Sequence, residues 1–155
     1  RFELRFNFQL SKETLALIKG AVKMELFHRL SGQRLLDELR LLFSERTPRH
    51  AVRRLSELDL LRFIHPKLTW SNRLDRRLIE VEAALDWYRL SGLNRPIRGW
   101  LVYAMALAEA MPDQAVRDLL KRFPLTEAER AAIFTRSIRP RSAIALLVSR
   151  YPTTS

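Results

Sequence analysis

The side chains here whose types and spacing could do chemistry are mostly arginines. Arg46, Arg49, Arg53 and Arg54 surround the start of one apolar stripe, Arg73, Arg76 and Arg77 begin another, and Arg136, Arg139 and Arg141 flank Pro140. A guanidinium pairs bidentately with phosphate and stacks on bases, so such clusters offer recognition of a polyanion. Arg49 and Arg53 stand four apart and share a helix face, while Ala51, Leu55 and Leu58 claim the opposite one. Asp75, Glu80 and Asp86 lie close enough to the second cluster to neutralise part of it. Taken singly, each cluster has the composition of a solvated helix face. Together they sit on a chain of 155 residues with 28 Lys+Arg against 17 Asp+Glu, a net charge of +11. Of the basic residues 23 are Arg and 5 are Lys, and the excess is spread evenly along the chain. A nucleic-acid partner follows from that charge, although a coding bias toward Arg would give the same composition without one.

Catalytic constellations are missing from the pattern. The three histidines, His28, His50 and His65, have no His or Cys partner at metal-ligand spacing. His28 follows Leu26-Phe27 and reads as helix-end packing, and His65 precedes Pro66, where the backbone must be extended. Glu80 and Glu82 fall on different sides of a helix, and Asp37-Glu38 is no metal clamp. There is no Gly-rich phosphate loop and no Gly-x-Ser-x-Gly. With Cys 0, a disulfide scaffold, a thiolate zinc site and a cysteine nucleophile are excluded. The longest apolar run, Trp100 to Ala108, is nine residues, against about 20 needed to span a bilayer. No site residue is assigned a catalytic or metal-binding role, and no membrane partner is expected. A chain that opens on Arg in mid-pattern, with no leader sequence, is expected to be part of a larger protein.

The elements that must position the arginines are helices. Leu15, Ile18 and Val22 recur at helical spacing, as do Leu35, Leu36, Leu39, Leu42 and Phe43, then Ala51, Val52, Leu55 and Leu58. A longer stripe runs through Leu74, Leu78, Val81, Leu85 and Tyr88, and another through Ile97, Trp100, Leu101, Ala104, Leu107 and Ala108. Ser11, Ser31, Thr47 and Ser71 stand where N-caps belong, Pro48, Pro96 and Pro112 suit first helical positions, Thr126 to Glu129 is a capping-box pattern, and Gly92 is a stop. The spacing predicts an all-α fold of about eight short helices, a first group over 1–68 and a second over 69–155, divided near Pro66. Arg34 and Glu38, four apart in the helix capped by Ser31, are expected to be structural and close enough to pair.

Four ordered stretches carry a resemblance. Arg1-Phe2-Glu3-Leu4-Arg5-Phe6-Asn7-Phe8 with Leu10 to Leu15 resembles the "RFxxRxGF" stretch and following T-L of bacterial tRNA nucleotidyltransferases and poly(A) polymerases. Leu30-Ser31-Gly32-Gln33-Arg34-Leu35-Leu36-Asp37-Glu38-Leu39 is similar to that family's "(I/L)SxERIxxEL". Pro48 to Leu61 follows its "P-x-x-A-x-x-x-L-x-x-x-G-L-L", and Ile64-His65-Pro66-Lys67-Leu68 its "hHPxL". Asn7 and Asp59 stand where the family usually has Gly, and Gln33 where it has Glu. Residues 69–155 match only in helical character.

The resemblance implies a neck (1–68) and part of a body (69–155) from the RNA-binding side of an RNA nucleotidyltransferase that adds A or CCA to tRNA or RNA 3′ ends. Arg46, Arg49, Arg53, Arg54, Arg73 and Arg76 would grip RNA phosphates, and Arg1 and Arg5 would support the nucleotide pocket. RNA, above all tRNA, and the catalytic head of the parent chain are the partners implied, in the cytoplasm. Mg²⁺ and ATP, with or without CTP, would be held by that head and not by this fragment, which is expected to be inactive alone. The Phe63-Ile64-His65-Pro66 segment looks more like A-adding or poly(A)-adding members than compact CCA-adding ones. Two readings from other classes stand beside this one. One is a noncatalytic helical protein-interaction module. The other is a DNA-binding helix-turn-helix protein, against which no helix start concentrates base-reading residues.

Overall fold

Apolar residues at helical spacing bury one side of each segment. The computed structural model, which describes residues 1–92 and 96–134, is accordingly all-α among the described residues. The chain divides into a compact unit of residues 1–70 and a second one from Ser71 onward. The first holds α1 (Phe2–Arg5), α2 (Lys12–Lys23), a 3-10 turn (Leu26–Arg29), α3 (Gly32–Phe43), α4 (Pro48–Glu57) and α5 (Leu61–Ile64). The second holds α6 (Asn72–Leu90), α7 (Gly99–Glu109), α8 (Asp113–Arg122) and α9 (Glu127–Phe134). The one-turn helices α1 and α5 left no mark in the pattern, because four residues are too few to repeat a period of 3.6. No helix among the described residues is long and apolar enough to cross a membrane.

The expected stripes form the cores. In the first unit α3 buries Leu36, Leu39, Leu42 and Phe43, α4 buries Ala51 and Val52, and α5 buries Leu61, Phe63 and Ile64. In the second, α6 buries Leu74, Leu78, Val81, Ala84, Leu85 and Tyr88. Helix α7 is apolar on nearly every side, and it is covered by both α6 and α9. Ser11, Ser31 and Ser71 each accept a backbone N–H three residues on, at 3.1, 3.2 and 3.1 Å. Thr126 and Glu129 make the full reciprocal capping box, at 3.0 and 3.2 Å, and Gly92 takes φ +69° just past α6.

Three cap assignments differ from expectation. Thr47 offers no side-chain cap to α4; its φ of −132° carries the chain straight into Pro48, whose missing N–H needs no acceptor. Pro96 lies before the helix instead of opening it, since α7 starts at Gly99 with Arg98 as N-cap. Pro112 is itself the N-cap of α8 in an extended conformation, which leaves Asp113 to place negative charge in the first turn.

Asn7 and Asp59, together with Glu25, adopt left-handed backbone at φ 53°, 56° and 55°. This conformation costs an L-residue about 1–2 kcal/mol, and glycine escapes it at the expense of a more flexible unfolded chain. Asp59 also lies 3.1 Å from the Nε of half-buried Arg62, a pair whose Asp59 side is exposed and which is therefore of small worth. Asp59→Gly is therefore expected to stabilise the first unit by about 0.5 kcal/mol. A urea melt in which the variant is less stable than the parent would mean that the Arg62 contact outweighs the backbone relief.

Candidate functional site

Helix α4 begins without a side-chain cap, and its arginines divide by face. Arg54 turns inward. Its Nε and Nη2 donate to the two carboxylate oxygens of Glu3 at 3.0 and 2.9 Å, and its Nη1 donates to Glu57 at 3.0 Å. Hydrogen bonds to Glu3 and then Glu57 hold the guanidinium even more firmly cationic than usual. Arg53 points outward and reaches Glu57 at 3.5 Å. Arg49 is half-buried, with Nη1 3.4 Å from Nε2 of His50, and Arg46 is exposed ahead of the helix. The structure therefore separates the four: Arg46, Arg49 and Arg53 border solvent, while Arg54 ties α4 to α1.

At the start of α6 the neutralising carboxylate is one that spacing did not reveal. Glu109, on α7, accepts from Arg77 at 2.6 Å and from Arg73 at 3.4 Å. Glu80 meets Arg77 at 2.6 Å, as expected, whereas Asp86 pairs with Arg89 at 3.0 Å. Arg77 is held strongly cationic, chiefly by its hydrogen bond to Glu109. Arg76 is exposed, with Nε 3.3 Å from the Asn72 carbonyl oxygen. The cluster at Arg136, Arg139 and Arg141 lies outside the described residues.

Arg1 and Arg5 share Glu45 at 3.7 and 3.3 Å and lie over the rings of Phe2 and Phe6, at 4.8 and 6.0 Å. Those rings stack on each other at 6.0 Å, with Phe8 5.5 Å beyond, and all three phenylalanines are exposed. Ser31 caps α3, but no ion pair joins Arg34 to Glu38. Arginine ahead of glutamate is the weaker order along a helix dipole, and the adjacent Gln33 makes the turn-to-turn contact instead, donating to both oxygens of Asp37 at 2.9 Å.

Two of the three histidines take structural places. His28 packs edge-on against Phe63 at 4.8 Å, and His65, in extended backbone before Pro66, accepts the Lys67 N–H at 3.0 Å through Nδ1. An apolar cleft of about 220 Å³ opens in the first unit beside Leu39, Leu42, Phe27 and Phe63, with Arg1 and Glu38 at its rim. No three His, Asp or Glu side chains converge among the described residues, so these residues do not fit a metal ion.

Residues 7–70 match the family model described as "Probable RNA and SrmB- binding site of polymerase A". The chain is 41% identical over 127 residues to an A-adding tRNA nucleotidyltransferase of Geobacter sulfurreducens, covering 82% of this chain and 14% of that protein. It is 28% identical over 102 residues to an A-adding tRNA nucleotidyltransferase of Aquifex aeolicus, covering 65% of this chain and 12% of that one. The chain thus spans about one-seventh or less of the length of these curated relatives. Among solved structures it resembles the Thermotoga maritima CCA-adding enzyme complexed with tRNA, with TM-score 0.75 and 22% identity over 97% of this chain and 36% of that one. An ATP complex of a CCA-adding enzyme is equally similar, with TM-score 0.75, 22% identity and the same coverage of the two chains. These structural likenesses speak for the fold. Neither the interaction-module reading nor the helix-turn-helix reading draws support from the matches.

Proposed function

We propose, from the match of residues 7–70 to the polymerase A RNA-binding family model, that this chain is the tRNA-gripping helical portion of an enzyme that adds A, or CCA, to RNA 3′ ends. The single observation that carries the reading is the 41% identity to an A-adding relative, which extends beyond the family match into the second unit. Residues 1–68 act as neck and 69–155 as body. They position the acceptor end by its phosphates, which fixes register without reading sequence. Arg46, Arg49 and Arg53 supply contacts from the start of α4, and Arg73 and Arg76 from the start of α6. Arg54, Arg1 and Arg5 serve by holding α1 on α4 and on Glu45, and so support whatever nucleotide pocket the longer protein builds. ATP, with or without CTP, and Mg²⁺ belong to the catalytic head of that protein. Its place of work is the cytoplasm, where tRNA is processed.

The net charge of +11 makes binding depend on counterion release. Titrating labelled tRNA with the 155-residue chain should show affinity falling about ten- to a hundredfold between 50 and 200 mM salt. Arg49→Glu with Arg53→Glu should weaken unrelated tRNA sequences by similar factors, because no base is read. Salt-insensitive binding, or no binding to tRNA at 50 mM salt, would overturn the reading.

A further inference from the structure

We propose that a lysine rail on α2, formed by Lys12, Lys19 and Lys23, carries the sugar-phosphate backbone of the bound RNA. The proposal rests on the RNA-binding reading above and assigns it a surface outside the arginine clusters. At 100° per residue, positions 12, 19 and 23 fall within about 20° of one line along the helix. They cover about 16 Å of its axis at 1.5 Å per residue. All three are exposed. Three of the chain's 5 lysines are gathered on this one line, in a protein that otherwise uses arginine.

The rail shares with Arg46 and Arg76 a lack of answering charge among the described residues. Arg53, Arg54, Arg73 and Arg77 each face a carboxylate of the protein itself, so RNA approaching them competes with Glu57, Glu3 or Glu109. Among the described residues no carboxylate lies within ion-pair distance of Lys12, Lys19 or Lys23. Glu13, the single acid of α2, sits about 100° round the helix from the rail. An ammonium on a flexible stem suits a phosphate track, which asks for point charge more than for a fixed fork.

The ground beside the rail is shallow. Ala16 and Gly20 lie next to it on the side away from the buried face of Leu15, Ile18 and Val22, and a Cβ built on Gly20 would meet nothing within 4 Å. A backbone can therefore approach the helix closely there. Beyond this floor Leu17 and Met24 are 75% and 69% exposed, and a protein partner seated on that apolar stripe is the competing occupant.

The test uses the whole 155-residue chain and labelled tRNA. Lys12→Gln, Lys19→Gln and Lys23→Gln combined should flatten the logarithmic salt dependence of binding by about 1 unit, the release expected of about one to two phosphate contacts. Across 50 to 200 mM salt that is about a fourfold smaller change in affinity. The three Lys→Arg replacements should retain the parent's slope, and Leu17→Ser with Met24→Gln should leave binding unchanged. All these positions are exposed, and thermal melts of the variants should match the parent's. If the parent binds tRNA steeply and the glutamine variant keeps both affinity and slope, the rail is wrong while the RNA-binding reading stands. Loss confined to the Leu17/Met24 variant overturns the rail in favour of the apolar stripe. If the parent binds no tRNA, the reading beneath it fails first and the rail falls with it.

Discussion

Leu78→Ala is expected to destabilise the second unit by about 3–5 kcal/mol. Leu78 is 0% exposed at the middle of α6, among Leu74, Val81 and Leu85 on the face that α7 covers. Removing its isobutyl group forfeits the transfer energy of the lost carbons and leaves a closed void, since neighbours on two packed helices relax only in part. The two compact units need not melt as one transition, so the measurement of choice is native-state hydrogen exchange of amides in α6 and α7. Protection in these helices should fall by at least a hundredfold. A drop equivalent to less than about 1 kcal/mol would mean that α6 is not the centre of its unit.

Leu39→Ala should cost the first unit less, about 2–3 kcal/mol, although the chemistry of the change is identical. Leu39 is 7% exposed on α3, but it borders the 220 Å³ cleft. Its truncation widens a space already open and creates no sealed cavity, so the cavity part of the cost is smaller. The same exchange measurement on α3 amides, or a denaturant melt of the first unit's signal, gives the comparison. If Leu39→Ala proved as costly as Leu78→Ala, the cleft would have to be closed in solution. A change under about 0.5 kcal/mol would show that the α3 stripe does not face a core.

What could be read in the sequence was whatever repeats within a few residues. The α3 and α6 stripes, the serine caps at Ser11, Ser31 and Ser71, the Thr126/Glu129 box and the Gly92 stop are local patterns, and each stands where the pattern puts it. The left-handed turns at Asn7 and Asp59 were legible only through resemblance, as positions where relatives carry glycine. The arginines of the candidate site were visible, but their partners were not. Glu3 lies 51 residues from Arg54 and Glu109 lies 32 from Arg77, separations that no helical period links. Spacing promised an Arg34–Glu38 pair because both stand on one face, yet proximity on a helix surface is worth only tenths of a kcal/mol, and a neighbouring pair took its place. The lysine line on α2 was available in the spacing. Single lysines separated by apolar residues do not look like a cluster.

The Glu3–Arg54 contact also has a consequence for the order in which the molecule assembles. Helix α1 buries none of its residues and is one turn long, so it has no stability of its own. Forming that contact from an open chain would close a 51-residue loop, at an entropic cost of about 3.5 kcal/mol before any return. An ion pair that stays partly wetted does not repay such a loss. Once the apolar faces of α3, α4 and α5 have collapsed and Arg62 has taken the Val22 carbonyl oxygen, the far end of the loop is already in place and only the short tether ahead of α2 remains to be ordered. Within residues 1–70, α1 is therefore expected to dock last in refolding and to leave first in unfolding.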